Sequence, residues 1–365
     1  MKNLATLLSL ALCLGAHKLS AQTLIPFDDP AWEFTGEFEQ LTYLGQKALL
    51  LKGGSAYLPD VSFENGIIEF DVAFPADRGF FGAIFRAQDE KNYEEFYLRP
   101  HQSGKPDAMQ YTPVFGGLSG WQLYHGPGHS TAYTYTYDRW LHVKLVISGQ
   151  EMEVYMDDMS KPVLHAFDLK REQMAGNLGV YAFLTQPYFA NFSFQEMDAP
   201  QIQSLAPKIP ALPAEQIIEW SVSEAFPADR LENLGQLPKN WEETYDWETF
   251  MVDRMGTLNL GQRDIKTDEK NTVLAKIDIS SDATELRKLT FGYSDEVLVY
   301  LNGQLLYGGQ RKFRSRDFRY LGTIGDFDCL YLPLKKGNNR LVFAVTENFG
   351  GWGIRAKLEQ EGLQP

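Results

Sequence analysis

Apolar and polar residues alternate with a period of two along much of this chain. In "IIEFDVAF", Ile68, Phe70, Val72 and Phe74 share one face while Glu69 and Asp71 share the other, the layout of a half-buried strand. "FGAIFRAQ" repeats it, with Phe81, Ala83 and Phe85 inward and Arg86 and Gln88 outward. In "NYEEFYLRPHQ", Tyr93, Glu95, Tyr97, Arg99 and His101 fall on one side, and Glu94, Phe96, Leu98 and Pro100 on the other. Period-two alternation in all three runs predicts a polar and aromatic face carrying Glu69, Asp71, Arg86, Gln88, Tyr93, Glu95, Tyr97, Arg99 and His101. Its reverse is a Phe70/Phe85/Phe96 core. A one-residue slip would bury Glu95 and Arg99 among apolar side chains at a cost of several kcal/mol per ion.

Similar short runs, rich in β-branched and aromatic residues and punctuated by Gly, Pro, Asn and Asp, recur to the C-terminus: "WLHVKLVIS", "MEVYMDD", "NLGVYAF", "NTVLAKIDIS" and "NRLVFAVTEN". Helical periodicity is scarce, so the pattern predicts an all-β protein. It breaks once, at "DAPQIQSLAPKIPALPAEQ", where Pro200, Pro207, Pro210 and Pro213 make a semi-rigid extended connector. The expected organisation is a leader over 1–21, a β-sandwich over 22–198, the connector over 199–215 and a second β-sandwich over 216–365. In the latter, "LVYLNGQLLY" reads as a hairpin with Asn302-Gly303 at its tip, and "KKGNNR" links two more strands. The stretch from Leu231 to Phe250 shows no clear period.

Composition narrows the function classes. A net charge of −14 without a block of Lys or Arg argues against nucleic acid or an anionic membrane surface as partner. The first residues carry Lys2, an apolar run from Leu4 to Ala16 too short to span a bilayer, and the small-x-small pattern Leu19-Ser20-Ala21. Cleavage after Ala21 is expected, giving an exported protein, periplasmic or secreted, that starts at Gln22. Of the two cysteines, Cys13 leaves with the leader, so the mature chain can hold no internal disulfide. Cys329, in the apolar "DFDCLYLPL", is expected to be buried and inert.

The stretches "FENGIIEFDVAF", "FRAQDEKNYEEFYLRPHQ" and "WLHVKLVISGQEMEVYMDD" resemble the concanavalin-like, laminin G-like jelly roll. They are also similar to a bacterial domain grouped with keto-disaccharide hydrolases. "VLVYLNGQLLY" and "LPLKKGNNRLVFAVTENFGGWGIRAKL" resemble the galactose-binding-like jelly roll found beside glycosidase domains. These resemblances imply two sandwiches and a carbohydrate partner, an oligo- or polysaccharide. Laminarinase-type relatives carry Glu-x-Asp-x-x-Glu on one strand. Here Glu69 and Asp71 keep the first two positions, and Phe74 stands at the third. A retaining pair, with carboxyls about 5–5.5 Å apart, therefore needs a second strand, and Glu95 is the candidate. The competing reading pairs Glu69 and Asp71 with Arg86 and Arg99 on an ordinary sheet surface.

Sugars present apolar C–H faces and dense hydroxyls, so flat aromatics beside charged side chains suit them. Arg86, Gln88, Tyr93, Tyr97 and Arg99 supply such a surface. "MQYTPVFGGLSGWQLYHGPGH" adds Gln110, Tyr111, Trp121, Tyr124 and His125 on a Gly-rich segment expected to be an adaptable loop. Lyase-like chemistry would draw on His101 with Tyr97 and Arg99, although no lyase motif matches. His125 and His129 lack a third zinc ligand at a recognised spacing. No cofactor is expected beyond a structural Ca²⁺, for which Asp157 and Asp158 or Asp326 and Asp328 could supply oxygens. Trp352, after a Gly pair, either stacks on a sugar or fills the second core, and the second reading is favoured. Because no complete catalytic set assembles, the sequence favours non-catalytic glycan binding. A glycoside hydrolase or lyase using Glu69, Asp71, Glu95 and His101 is the first alternative, and a structural or adhesion protein of the envelope is the second.

Overall fold

A computed structural model describes residues 21–263, 266–315 and 321–359. The leader and Cys13 lie outside the described residues, Ala21 and Gln22 apart. Two β-sandwiches account for nearly all regular structure, with only four single-turn 3-10 segments among the described residues. No helix among them is long and apolar enough to cross a membrane.

The first sandwich is one antiparallel sheet of 14 strands folded over on itself. The long strand Gln46–Phe63 makes the fold, pairing with Tyr188–Glu196 through Leu49 and Leu50 and with Gly176–Phe183 through Ser55 to Leu58. The back layer contains Gly66–Ala73, Leu141–Ser148, Glu151–Met156 and Tyr188–Glu196. The front layer contains Gly176–Phe183, Phe80–Asp89, Asn92–Leu98 and Met109–Phe115. Aromatic contacts tie the layers, Phe74 to Phe81 at 4.7 Å and Phe81 to Phe189 at 6.2 Å, while Phe70 meets Phe189 at 5.9 Å within the back layer. Ile68, Phe70, Val72, Phe81, Ala83, Phe85, Phe96 and Leu98 are fully buried in this core, so the predicted apolar side holds in all three runs. Each such ring or branched side chain contributes about 1.5–3 kcal/mol on burial.

Alternation fails at Arg86. A bulge there, with φ of +50°, turns its side chain out of the front face. The guanidinium instead donates to the carbonyls of Glu64 and Gly149, both at 2.7 Å, and to Asn65 Oδ1 at 3.1 Å. Those acceptors sit on turns flanking back-layer strands, so Arg86 staples the layers together.

The second sandwich packs a six-stranded sheet, including Thr272–Ser281, Glu296–Leu301 and Gly337–Thr346, against a four-stranded sheet including Glu285–Ser294 and Gly353–Leu358. Trp220, Phe291, Phe343 and Trp352 fill its core. The hairpin Glu296–Leu301/Gln304–Gln310 turns at Asn302-Gly303, both with positive φ, as a type I′ turn requires. The turn before Gly337 carries the chain from the four-stranded to the six-stranded sheet. The stretch from Leu231 to Phe250 follows the 3-10 turn Ala228–Leu231 and holds the turn Trp241–Thr244 and most of the strand Trp247–Met251. Its Leu231, Leu237, Trp241 and Trp247 cover the back of the six-stranded sheet in a small separate cluster.

Cys329 corrects an expectation. It is exposed, because Asp328–Leu334 turns Leu332 and Leu334 to the core and leaves Cys329 and Tyr331 on the outer face. The apolar run around it belongs to the neighbouring positions.

Candidate functional site

Cross-strand registers build the front face. One row runs Ser55, Tyr181, Gly82, Tyr97, Gln110, each opposite the next on the adjacent strand. The row beside it runs Tyr57, Gly179, Ile84, Glu95, Thr112. Gly82, between Tyr181 and Tyr97, and Gly179, beside Tyr57, add no side chain to these rows. The result is a groove of about 630 Å³ walled by aromatic residues, among them Tyr57, Phe80, Tyr93, Tyr97, Tyr181 and Phe183. Glu95 and Ser119 lie at its floor and Glu90 at its rim, and among the described residues no lysine or arginine lines it.

Glu95 is almost completely buried. Thr112 and Ser119 donate to its Oε1 at 2.8 and 2.7 Å, and the Tyr181 hydroxyl adds a further hydrogen bond. Burial pushes its carboxyl above the usual range, and these donors only partly offset that. Tyr97 is buried too: its hydroxyl donates to Gln110 Oε1 at 3.0 Å and accepts from Arg99 Nη2 at 2.9 Å. Arg99 continues to Gln110 at 2.8 Å and Asp107 at 2.7 Å, and its guanidinium lies against the rings of Phe80, Tyr97 and Trp121. Arg99 and Gln110 therefore support the groove from beneath and do not line it. His101, on the 3-10 turn Pro100–Gln102, packs edge-on against Phe80 at 5.5 Å. Burial and the neighbouring Arg99 and Arg78 push its imidazole down.

Several expected members lie elsewhere. Glu69 and Asp71 are on the outer face of the back layer, separated from Glu95 by a sandwich core about 10 Å thick. Asp71 binds His142 Nδ1 and accepts from Asn191, both at 2.7 Å. Glu69 accepts from Gln22 at 3.0 Å. Neither meets Arg86 or Arg99, so both the catalytic grouping and the predicted ion pairs are corrected: alternation assigns a face within a sheet, but the fold puts these strands in opposite layers. Gln88, next to the bulge, turns back to the carbonyls of Arg86 and Ala175. Tyr111 points into the core, where its hydroxyl donates to Glu94 and accepts from the Lys170 N–H at 2.6 Å. Glu94 itself is fully buried, with burial raising its carboxyl.

The Gly-rich segment is anchored and not adaptable. Gln110 Nε2 donates to the carbonyls of Trp121 and Tyr124, and Gln122 plugs into the second sandwich. Gln122 N–H donates to Gly350 O at 2.8 Å, its Nε2 donates to Leu321 O at 2.7 Å, and its Oε1 accepts from Ser294 at 2.9 Å. Tyr124 is buried against His129, whose imidazole is pushed down to about 3 by burial and the nearby Lys170. His125 instead contacts Ile324 O at 3.2 Å. The aspartates considered for Ca²⁺ have protein partners: Asp157 with Arg139, Asp158 with Ser160, Asp326 with Arg355 and Lys357, and Asp328 with Arg311. Trp352 is buried and donates to Val345 O at 3.0 Å. What sequence reasoning missed are Tyr57, Phe80, Tyr181, Phe183 and Phe349, which reach the groove from strands and a loop distant in the chain. Alternation could have put Tyr57 and Tyr181 on the outer side of their strands, but no sequence signal pairs them with Tyr97.

No protein-family model matches the chain, and no curated protein does. Among solved structures, a carbohydrate-binding module CBM66 from Bacillus subtilis matches 44% of this chain and 93% of its own, at 16% identity and a TM-score of 0.36. A protein of unknown function with a galectin-like fold, also from Bacillus subtilis, matches 50% of this chain and 100% of its own, at 11% identity and 0.39. A Bacillus licheniformis beta-glucanase matches 48% and 98%, at 12% identity and 0.34. Similarity this distant says nothing about activity.

Proposed function

We propose that this is an exported protein that binds a neutral glycan without cleaving it, in the aromatic groove of the first sandwich. The observation that carries the reading is the lining. Seven tyrosine and phenylalanine rings surround a floor carboxyl that burial raises above its ordinary value and that accepts from Thr112 and Ser119, and among the described residues no lysine or arginine stands in the lining to neutralise a uronate. Among the described residues Glu90 and Glu95 are the only carboxylates in that lining, and Glu69 and Asp71, the other half of any expected pair, are across the core. Export rests on the leader, and N-terminal sequencing of protein recovered outside the cytoplasm should begin at Gln22.

The test is calorimetric titration of the mature chain with neutral polysaccharides and with polygalacturonate. Binding of a neutral glycan and rejection of the uronate are expected. Phe183→Ala, which removes a ring already 56% exposed, should weaken binding about tenfold, the equivalent of ~1.4 kcal/mol of stacking, with an unchanged melting temperature. Asp71→Asn should bind as the wild type does; loss of binding in that variant instead would put the site on the back layer.

The raised Glu95 carboxyl favours a second reading, a glycoside hydrolase with Glu95 as general acid. Release of reducing ends from the bound glycan, abolished in Glu95→Gln, would establish it.

A further inference from the structure

One end of the groove belongs to the other sandwich. Phe349 and Gly350, on the loop between Gly337–Thr346 and Gly353–Leu358, complete its wall beside Trp121. Phe349 lies edge-on to Trp121 at 5.8 Å and to Phe313 at 5.9 Å, yet 55% of it remains exposed. A large ring held in place but left facing solvent contributes little to its own core. It has the form of a stacking platform.

The loop that carries Phe349 is fixed at every point. Asp295 Oδ2 accepts from the N–H of Asn348 at 2.9 Å and of Phe349 at 2.7 Å. Glu347 Oε1 accepts from Gly351 N–H at 3.1 Å, and Gly350 O accepts from Gln122 N–H. Gly350 has a φ of +103°, and a Cβ there would come within 2.7 Å of both Trp121 and Gln122. The close approach of the loop to Trp121 thus depends on glycine at this position.

Resting on the glycan-binding reading above, we propose that the site is shared between the two sandwiches. Phe349 is a sugar-stacking residue that forms an end subsite with Trp121, and Asp295 is the residue that positions it. The ligand is then an oligosaccharide long enough to run from the Tyr181 end of the groove to Phe349, and a short sugar uses only the first sandwich's part.

Titration of the full mature chain with hexaoses of β-glucan, xylan, mannan, arabinan and fructan, and with the matching disaccharides, tests this. At least one hexaose should bind more tightly than its disaccharide. Phe349→Ala should weaken that hexaose about tenfold, leave the disaccharide within twofold of wild type and leave the melting temperature unchanged. Phe349→Tyr should restore hexaose binding, and Asp295→Asn should lower hexaose affinity with the disaccharide unaffected. Phe183→Ala should weaken both sugars. Equal hexaose affinity in Phe349→Ala and wild type, with Phe183→Ala still impaired, overturns the shared site and leaves the glycan reading standing. Failure of every hexaose to bind wild-type protein overturns both.

Discussion

Arg99 shows how far a residue type can mislead about a role. Its charge and its place among tyrosines suggest a ligand contact, yet it is buried and satisfies the Tyr97 hydroxyl, Gln110 and Asp107 together. Arg99→Ala should therefore leave the buried Tyr97 hydroxyl and the Asp107 carboxylate without this donor, while Gln110 Oε1 keeps only the Tyr97 hydroxyl. It should cost on the order of 2–4 kcal/mol, read as a fall of several degrees in melting temperature. Unchanged stability with lost glycan binding would make Arg99 a direct contact after all. Glu347 and Asp295 give a pH dependence with a definite sign. Burial, then the neighbouring Asp295, pushes the Glu347 carboxyl up to about 8, and burial pushes Asp295 up to about 6. Lys266 is the cation that opposes this for Glu347. Both groups hold protons in the folded state that an unfolded chain has already released near its ordinary carboxylate values. Their contribution to stability is thus full below about pH 4 and is lost as the pH rises toward 8. Melting temperature should fall between pH 5 and pH 8, and Glu347→Gln, which cannot ionise, should flatten that fall. An equal slope in the variant would assign the effect to other groups.

At the scale of elements, two departures from regularity decide what the groove contains. The bulge at Arg86 removes two expected polar residues from the front face and turns one of them into a staple between layers. The segment from Gly116 to His125, which reads as a mobile loop because of its glycines, is instead the element that joins the sandwiches. Gln122 fills a socket on the second sandwich, and Lys170 bridges Asp168 at 2.6 Å and Asp253 at 2.8 Å beside it. The connector behaves in two ways along its length. Glu153 accepts from the backbone N–H groups of Gln203 and Ser204, tying down its start, while Leu205 just beyond is 95% exposed. Limited proteolysis should therefore cut within 205–212 and leave the strands on either side intact. Cuts within 231–250 would move the boundary between the sandwiches.

For the whole molecule, the junction matters more than the connector. Gln122, Lys170 and His125 each bond across it, and the aromatic groove crosses it between Trp121 and Phe349. A chain nicked in the connector should therefore elute as one particle in native gel filtration and separate into two fragments only in denaturant. Fragments that part under native conditions would show that the covalent link, not the packed junction, holds the halves together, and would remove the basis for a site shared between them.

Much of this architecture is local and so can be read from sequence. Period-two alternation places Phe70, Phe85 and Phe96 in a core and Tyr93, Glu95 and Tyr97 on one surface, because side chains of a strand must point alternately. Asn302-Gly303 fixes a hairpin because both residues tolerate positive φ, and four prolines mark where sheet pairing must stop. What alternation cannot specify is which strands share a layer. Glu69 and Glu95 have the same local setting, outward on a strand with an aromatic core beneath, and only the folding-over of Gln46–Phe63 sends them to opposite sides of the sandwich. The same holds for Phe349. Its ring meets Trp121 because Gln122 locks one sandwich to the other, a contact between residues more than 220 positions apart that no local pattern encodes.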